Sequence, residues 1–238
     1  MILSSYNHAF RETVPIMTAR LMNFVVYNIH VGGEGRADPL AEVLLAQHAD
    51  VIAIVEAMTS RGDDAPLRRV ACRLNMEYVS AASARDPSNA VALLSRVPIV
   101  TSIDLSVLRG RNEPVLFAHV SGGGIDLRVI VTHATIPNSA LPTDFPEFDV
   151  LTGTFDAATF DVAARAMHTS NSSNGLKLSP ALATFPTNRQ TTGPMAGPTI
   201  AAERVYSRSK KILSSRVEMD RLAQFASDHF PLVVELEN

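Results

Sequence analysis

The stretch DVIAIVEA at residues 50–57 sets the first limit on the fold. It is apolar nearly throughout, and a strand of that kind is covered on both faces, which requires a layered architecture above and below it. The run ends on Glu56, and a carboxylate in that place demands a reason. Similar runs recur along the chain: LMNFVVYNI (21–29), LRVIVTHAT (127–135), VLTGTFDA (150–157) and FPLVVELE (230–237). Each has polar groups at one end, namely Asn28, His133, Asp156 and the pair Asp228 and His229. Taken singly, these are turn caps or satisfied histidines; if the strands lie side by side, all of them meet on one rim, as a hydrolytic site requires.

Between the runs the spacing predicts helices and further strands. Asp38 as N-cap, Pro39 at the first helical position and Leu40, Val43 and Leu44 on one face predict a helix to about Gln47. DAPLRRVACRLN (64–75) predicts a second, with Leu67, Val70, Ala71 and Leu74 inward. Strands follow near 77–82, 90–95, 99–108, 114–121 and 125–132, the last two joined through SGGGI, whose glycines permit a tight hairpin. This order predicts a mixed sheet core with helices outside. Residues 21–238 read as a single domain and residues 1–20 as a poorly ordered N-terminal extension. The Pro-, Ser- and Thr-rich segment 168–202 reads as a functional surface or a mobile segment.

Composition narrows the function. With 21 basic against 24 acidic residues the chain offers no general field for nucleic acid, and the basic strip RVYSRSKKILSSR (204–216) reads as a solvated strand face. The single cysteine, Cys72, lies in the second helix and reads as packing. No apolar run approaches the ~20 residues of a membrane span. The N-terminal segment carries Arg11, Glu12 and Pro15 where a secretory signal needs an apolar core, so a cytoplasmic address is expected.

Six segments carry a resemblance. YNIHVGGEGRADPLAEVLLAQHADVIAIVEA, NAVALLSRVPI, LRVIVTHAT, VLTGTFDA, ATFPTNRQ and ASDHFPLVVEL stand in the order and approximate spacing of the endonuclease/exonuclease/phosphatase superfamily, over about Asn23 to Glu237. The resemblance implies an α/β fold, a four-layer α/β/β/α sandwich of two packed mixed sheets flanked by helices, with its active rim at one end. It implies Mg²⁺ (or Mn²⁺) at Glu56, with Asn28, Asp228 and Glu203 as further candidate ligands. Magnesium suits such a site because it takes one or two carboxylates and keeps several waters. His133, Asp156, Asp228 and His229 carry over as catalytic residues, with Asp228 orienting the His229 imidazole. Asn28, Asn89, Thr154 and Arg204 carry over as substrate contacts.

The sequence also departs from the family. Its loop commonly reads Gly-Asp-Phe-Asn, whereas Thr154 replaces the aspartate and Asp156 the asparagine; Glu203 replaces an aspartate, and Val55 replaces a glutamine. A threonine hydroxyl holds a water but does not take its proton at neutral pH, which costs on the order of 10²- to 10⁴-fold in rate. Residues 134–152 hold Pro137, Pro142 and Pro146 where the family commonly places a helix, and the sheet face so left bare is a candidate surface for self-association. Three functions stay open: a metal-dependent phosphoesterase acting on a small phosphate ester more readily than on duplex DNA, an enzyme repurposed for acid–base chemistry on a non-phosphate metabolite, and a non-catalytic binding protein.

Overall fold

The computed structural model describes residues 20–81, 86–106, 113–134, 146–155, 179–180 and 203–237. In chain order the elements are β1 (Leu21–Asn28), α1 (Ala37–Ala46), β2 (Val51–Val55), α2 (Ala65–Leu74), β3 (Glu77–Ala81), β4 (Val91–Ser95), β5 (Ile99–Asp104), β6 (Val115–Gly122), β7 (Ile125–Ala134), β8 (Val150–Phe155), β9 (Ser179–Pro180), β10 (Glu203–Ser207), β11 (Lys211–Val217), α3 (Arg221–Ala226) and β12 (Leu232–Glu237). They form two sheets of six strands, ordered β11-β12-β1-β2-β4-β3 and β5-β6-β7-β8-β10-β9. Each sheet holds one parallel pair, β1 with β2 and β7 with β8, among antiparallel neighbours.

Alternation along the strands sorts their side chains into layers. Phe24, Val26, Val51, Ala53, Val55, Val91, Leu93, Val234 and Leu236 of the first sheet meet Leu116, Ala118, Leu127, Val129, Val131, Val150 and Val205 of the second in one buried core between the sheets. The intervening residues of the first sheet, Val25, Tyr27, Ile52, Ile54, Ala92 and Leu94, face outward onto Leu40, Val43 and Leu44 of α1, Leu67, Val70 and Leu74 of α2 and Ala223 and Ala226 of α3. Double coverage is why β2 reads as an unbroken apolar run. Both packed mixed sheets of the expected α/β sandwich are present, and the three described α-helices cover the first of them. Among the described residues no helix is long and apolar enough to cross a membrane.

Details differ from the sequence reading at several points. α1 begins at Ala37 with Arg36 as N-cap, because the Arg36 carbonyl accepts the Leu40 N–H; Asp38 lies within the first turn. β5 stops at Asp104. Helix α3 belongs to no element read from the sequence. The outer face of the second sheet carries Phe117, Ile130, Leu151, Phe155 and Tyr206, all buried. The segment expected to lack its helix falls largely outside the described residues. The basic strip begins on β10, where Arg204 is largely buried, and continues onto β11, an exposed edge strand with a bulge between Ile212 and Ser214, where Arg216 pairs with Glu218 and Gln47 and Lys211 with Glu237. The β11 part is a solvated face, whereas Arg204 is not.

Glycine is required by geometry at two places, the β6–β7 turn and the start of the β8 rim. Gly123 and Gly124 both have positive φ (56° and 84°) at the β6–β7 hairpin, the backbone that a two-residue turn with the twist of its strands requires. Gly153, at φ 143°, sits so close to β7 that a Cβ would lie 1.7 Å from the Thr132 carbonyl oxygen. Glycine there lets β8 approach β7 and brings Thr154 level with His133. Gly153→Ala is expected to destabilise the fold by roughly 3 kcal/mol or more, read as a lower denaturant midpoint; a midpoint unchanged from wild type would show that β8 can move away at no cost.

Candidate active site

The same alternation that builds the core delivers polar groups to its rim. On the first sheet Asn28 continues the inward series of Phe24 and Val26, and Glu56 follows directly after β2. On the second, His133 continues Val129 and Val131, Thr154 continues Val150 and Thr152, and Glu203 precedes Val205. The strand registers place His133 opposite Thr154 and Thr154 opposite Glu203, so these three stand in one row across β7, β8 and β10. Because β1 and β2 run parallel, as do β7 and β8, the C-terminal ends of all four open on this rim.

Glu56 is held from two sides. Asn28 Nδ2 donates to its Oε1 at 2.9 Å, and the Val31 N–H donates to its Oε2 at 3.1 Å. Its own backbone has φ 55°, and its carbonyl accepts the Gly32 N–H at 2.7 Å. Gly32 approaches so closely that a Cβ would lie 2.4 Å from the Met58–Thr59 peptide. Asn28 is therefore the residue that orients Glu56. Its Oδ1, the atom expected to ligate metal, accepts the His30 N–H at 2.9 Å with one of its two lone pairs.

Glu203, and not Asp228, stands against His229. Asp228 and His229 are consecutive, and their side chains diverge: Asp228 is 40% exposed and lies 3.4 Å from His30, while His229 turns to the second sheet. There His229 Nδ1 lies 2.7 Å from Oε1 of Glu203, a close ion pair too bent for a linear hydrogen bond. Glu203 is fully buried and also accepts from the Thr154 hydroxyl at 3.3 Å. Glu203, expected as a metal ligand, is thus the group that orients the imidazole. Asp228 is left facing the Glu56 side.

The two histidines are driven in opposite directions. Burial pushes the His133 imidazole below the ordinary histidine value and outweighs the nearby charges of Glu56 and Glu203. His229 is also pushed down by burial, but the contact with Glu203 and the charges of Glu203, Asp228 and Glu56 overcome this and raise it. His133 Nδ1 is buried and has no hydrogen-bond partner among the described residues. An orphaned polar atom of that kind costs about 1–3 kcal/mol, and a ligand is one way to satisfy it.

Other expected residues fall elsewhere. Arg204 faces the opposite side of β10 from Glu203 and Val205, toward the outer layer with Tyr206, and burial lowers its pKa. Asn89 closes a turn over residues 87–89, its Nδ2 donating to Asp86 Oδ2 at 3.3 Å. Asp156 lies outside the described residues. Three residues at the rim were not read from the sequence: His30, Arg36 and Ser227. Arg36 donates to the carbonyls of Ile29, His30 and Ala226, and Ser227 Oγ donates to the Asn28 carbonyl at 2.8 Å while accepting the His229 N–H. Only His30 left a readable signal, as a second polar side chain two residues beyond Asn28.

Glu203→Gln is expected to lower the His229 pKa below the ordinary value, because burial then acts with its main counterweight removed. The stabilisation that His229 supplies is present below the unfolded-state value near 6.5 and lost as pH rises through the raised folded value, so the variant loses it on the acidic side. NMR titration of the imidazole reads both; a value still raised in the variant would assign the upward shift to the charges of Asp228 and Glu56.

The profile of the Endonuclease/Exonuclease/phosphatase family matches residues 25–157, more than half of the chain. No curated protein matches the sequence. Among solved structures, an endonuclease/exonuclease/phosphatase family protein from Leptotrichia buccalis is 14% identical, with 91% of this chain and 100% of that one covered and a TM-score of 0.65. TDP2 of D. rerio, complexed with a single strand DNA product, is 13% identical over 92% and 99%, with a TM-score of 0.66. The human Nocturnin catalytic domain, with a bound sulfate anion, is 14% identical over 91% and 93%, with a TM-score of 0.64. At such identities the structural likeness speaks for the fold, and the profile for descent: this chain belongs to the endonuclease/exonuclease/phosphatase family.

Proposed function

We propose that the protein is a divalent-metal-dependent phosphoesterase-type hydrolase of the cytoplasm, acting on a small phosphate ester more readily than on duplex DNA. Members of its family are in general metal-dependent hydrolases of phosphoester bonds. The observation that carries the reading is the meeting of two unlike groups at one rim, the Glu56 and Asp228 carboxylates on one side and the His133 and His229 imidazoles on the other.

The donor set fits the family's cation. Glu56 is oriented by two N–H donors, Asp228 is open to solvent, and both offer the hard oxygen atoms that magnesium prefers. Among the described residues no three His, Cys, Asp or Glu side chains are grouped to hold a metal ion, so Glu56 and Asp228 would be its protein carboxylates and water would supply the remaining ligands. When bound, such an ion offsets charge on the phosphate oxygens and the leaving group. His229, whose protonated form the contact with Glu203 favours, is suited to donate to a non-bridging phosphate oxygen. His133, kept neutral by burial, is suited to accept a proton. The preference for a small substrate rests on the net charge of −3 and on a basic strip already engaged with acidic and amide groups.

One observation supports a second reading, an acid–base enzyme acting on a non-phosphate metabolite. Thr154 brings no carboxylate to the position of the usual base, and its hydroxyl is turned to Glu203. Two imidazoles with pKa values moved apart can serve such chemistry without a phosphate. Tight binding of inorganic phosphate together with magnesium would remove this reading.

Turnover of a generic phosphodiester with Mg²⁺ or Mn²⁺ is expected, with Glu56→Ala and His229→Ala each reducing it by at least about 10²-fold. The absence of metal-dependent turnover across a broad phosphoester panel would overturn the proposal. The double change Thr154→Asp with Asp156→Asn restores the family's loop and is expected to raise the rate by on the order of 10²-fold. A variant that stays inert would instead mark a non-catalytic binding protein on this fold.

A further inference from the structure

We propose that Arg36 is a positioning residue of the rim: its guanidinium holds the segment that carries Asp228 and His229 against the loop that holds Glu56. The inference rests on the phosphoesterase reading for its effect on rate, and on geometry alone for the placing of His229.

Arg36 Nη1 donates to the Ala226 carbonyl at 2.8 Å, and Nη2 donates to the carbonyls of His30 at 2.6 Å and Ile29 at 3.1 Å. These three bonds all go to main chain, so the fork is spent on the course of the backbone. Its own base is fixed. Arg36 is half-buried at the N-cap of α1, its N–H on the Gly33 carbonyl at 2.8 Å and its carbonyl accepting the Leu40 N–H at 3.0 Å.

The far end of the fork is where an anchor is needed. Ala226 ends α3, a helix of six residues, and a helix that short is marginal by itself. The last carbonyls of a helix have no partner within it, and a cation beside them is favourable. After Ala226 the chain turns out at Ser227, in an extended conformation, and reaches His229 two residues later. Ser227 gives the segment a second attachment, since its Oγ donates to the Asn28 carbonyl at 2.8 Å and accepts the His229 N–H at 3.3 Å. The circuit closes on the other side: Asn28 Nδ2 and the Val31 N–H hold Glu56, and Asn28 Oδ1 accepts the N–H of His30, whose carbonyl lies on Arg36.

The carboxylate that faces the substrate and the imidazole that faces it are thus set by one ring of hydrogen bonds, and Arg36 joins its two halves. A planar guanidinium can reach three carbonyls at once, whereas a lysine is a single point charge on a flexible stem. Loss of the fork leaves the α3 end attached through Ser227 and frees the segment to shift. A displacement of about 1 Å in a reacting group can cost on the order of 10²-fold in rate.

The test compares the full chain with its Arg36→Ala and Arg36→Lys variants by the ¹H–¹³C imidazole resonances of His133 and His229, by denaturant midpoint, and by kcat and KM on a generic phosphodiester with Mg²⁺. In both variants the His229 resonances are expected to shift and broaden while those of His133, on the other sheet, stay in place. kcat is expected to fall about tenfold or more, with KM changed by less than about threefold. Guanidinium ion at a non-denaturing concentration is expected to return the His229 resonances and part of kcat in Arg36→Ala; a merely structural loss would be deepened by the same ion. Lysine keeps the charge and the stem, so a folded variant is in hand even where alanine is not tolerated. His229 resonances unchanged from wild type, or both histidines displaced together with a lower midpoint and no recovery in guanidinium, would overturn the role of Arg36. The resonances decide it even in a chain that turns nothing over, so failure of the phosphoesterase reading and failure of this one are read separately.

Discussion

One ionic contact joins the two sheets at the rim, between Glu203 at the start of β10 and His229 just before β12. Its carboxylate is wholly buried, and a buried charge persists only where a partner answers it. The contact therefore ties the charge state of the imidazole to the packing of one sheet on the other. A shift of β10 along β8 by one residue would turn Glu203 to the outer face and leave His229 with burial alone acting on it. Site and sandwich are in this sense one construction, and the inward alternation of β7, β8 and β10 serves both.

The two departures from the family pattern that bear on chemistry are neighbours in space. Thr154 and Glu203 are register partners on β8 and β10, with a hydroxyl donating to a carboxylate at 3.3 Å. Where the family carries two aspartates, this chain has a hydroxyl and a longer acid. The buried row keeps a single described carboxylate, which engages both His229 and Thr154. A second acid at position 154 would have to be accommodated against a Glu203 that water does not reach.

The sheets were legible because burial on both faces writes itself as unbroken apolar runs, as in β2, and because the groups that end those runs, Asn28, Glu56 and His133, are polar where nothing in a core should be. What the letters could not convey was pairing through space. The resemblance gave Asp228 as the group that orients His229, yet consecutive side chains point apart, and the carboxylate against the imidazole, that of Glu203, comes from the other sheet. Arg204 looked available for phosphate, but the period of two sends it to the opposite face from Glu203. The parts played by Arg36 and Ser227 rest on backbone carbonyls of distant residues, which no composition or spacing records. Asp38 misled for a smaller reason, since the carbonyl of Arg36 starts the helix earlier than the side-chain cap would.

The parallel pairs β1–β2 and β7–β8 have a consequence for the opposite end of the molecule. Their C-terminal ends crowd onto one rim, so the connections at the other rim, such as the Gly123–Gly124 turn, carry no part of the site. The constraint on that turn is the geometry of its hairpin alone, and a foreign segment spliced in there would be felt in the pairing of β6 with β7 before it reached the chemistry of the other rim.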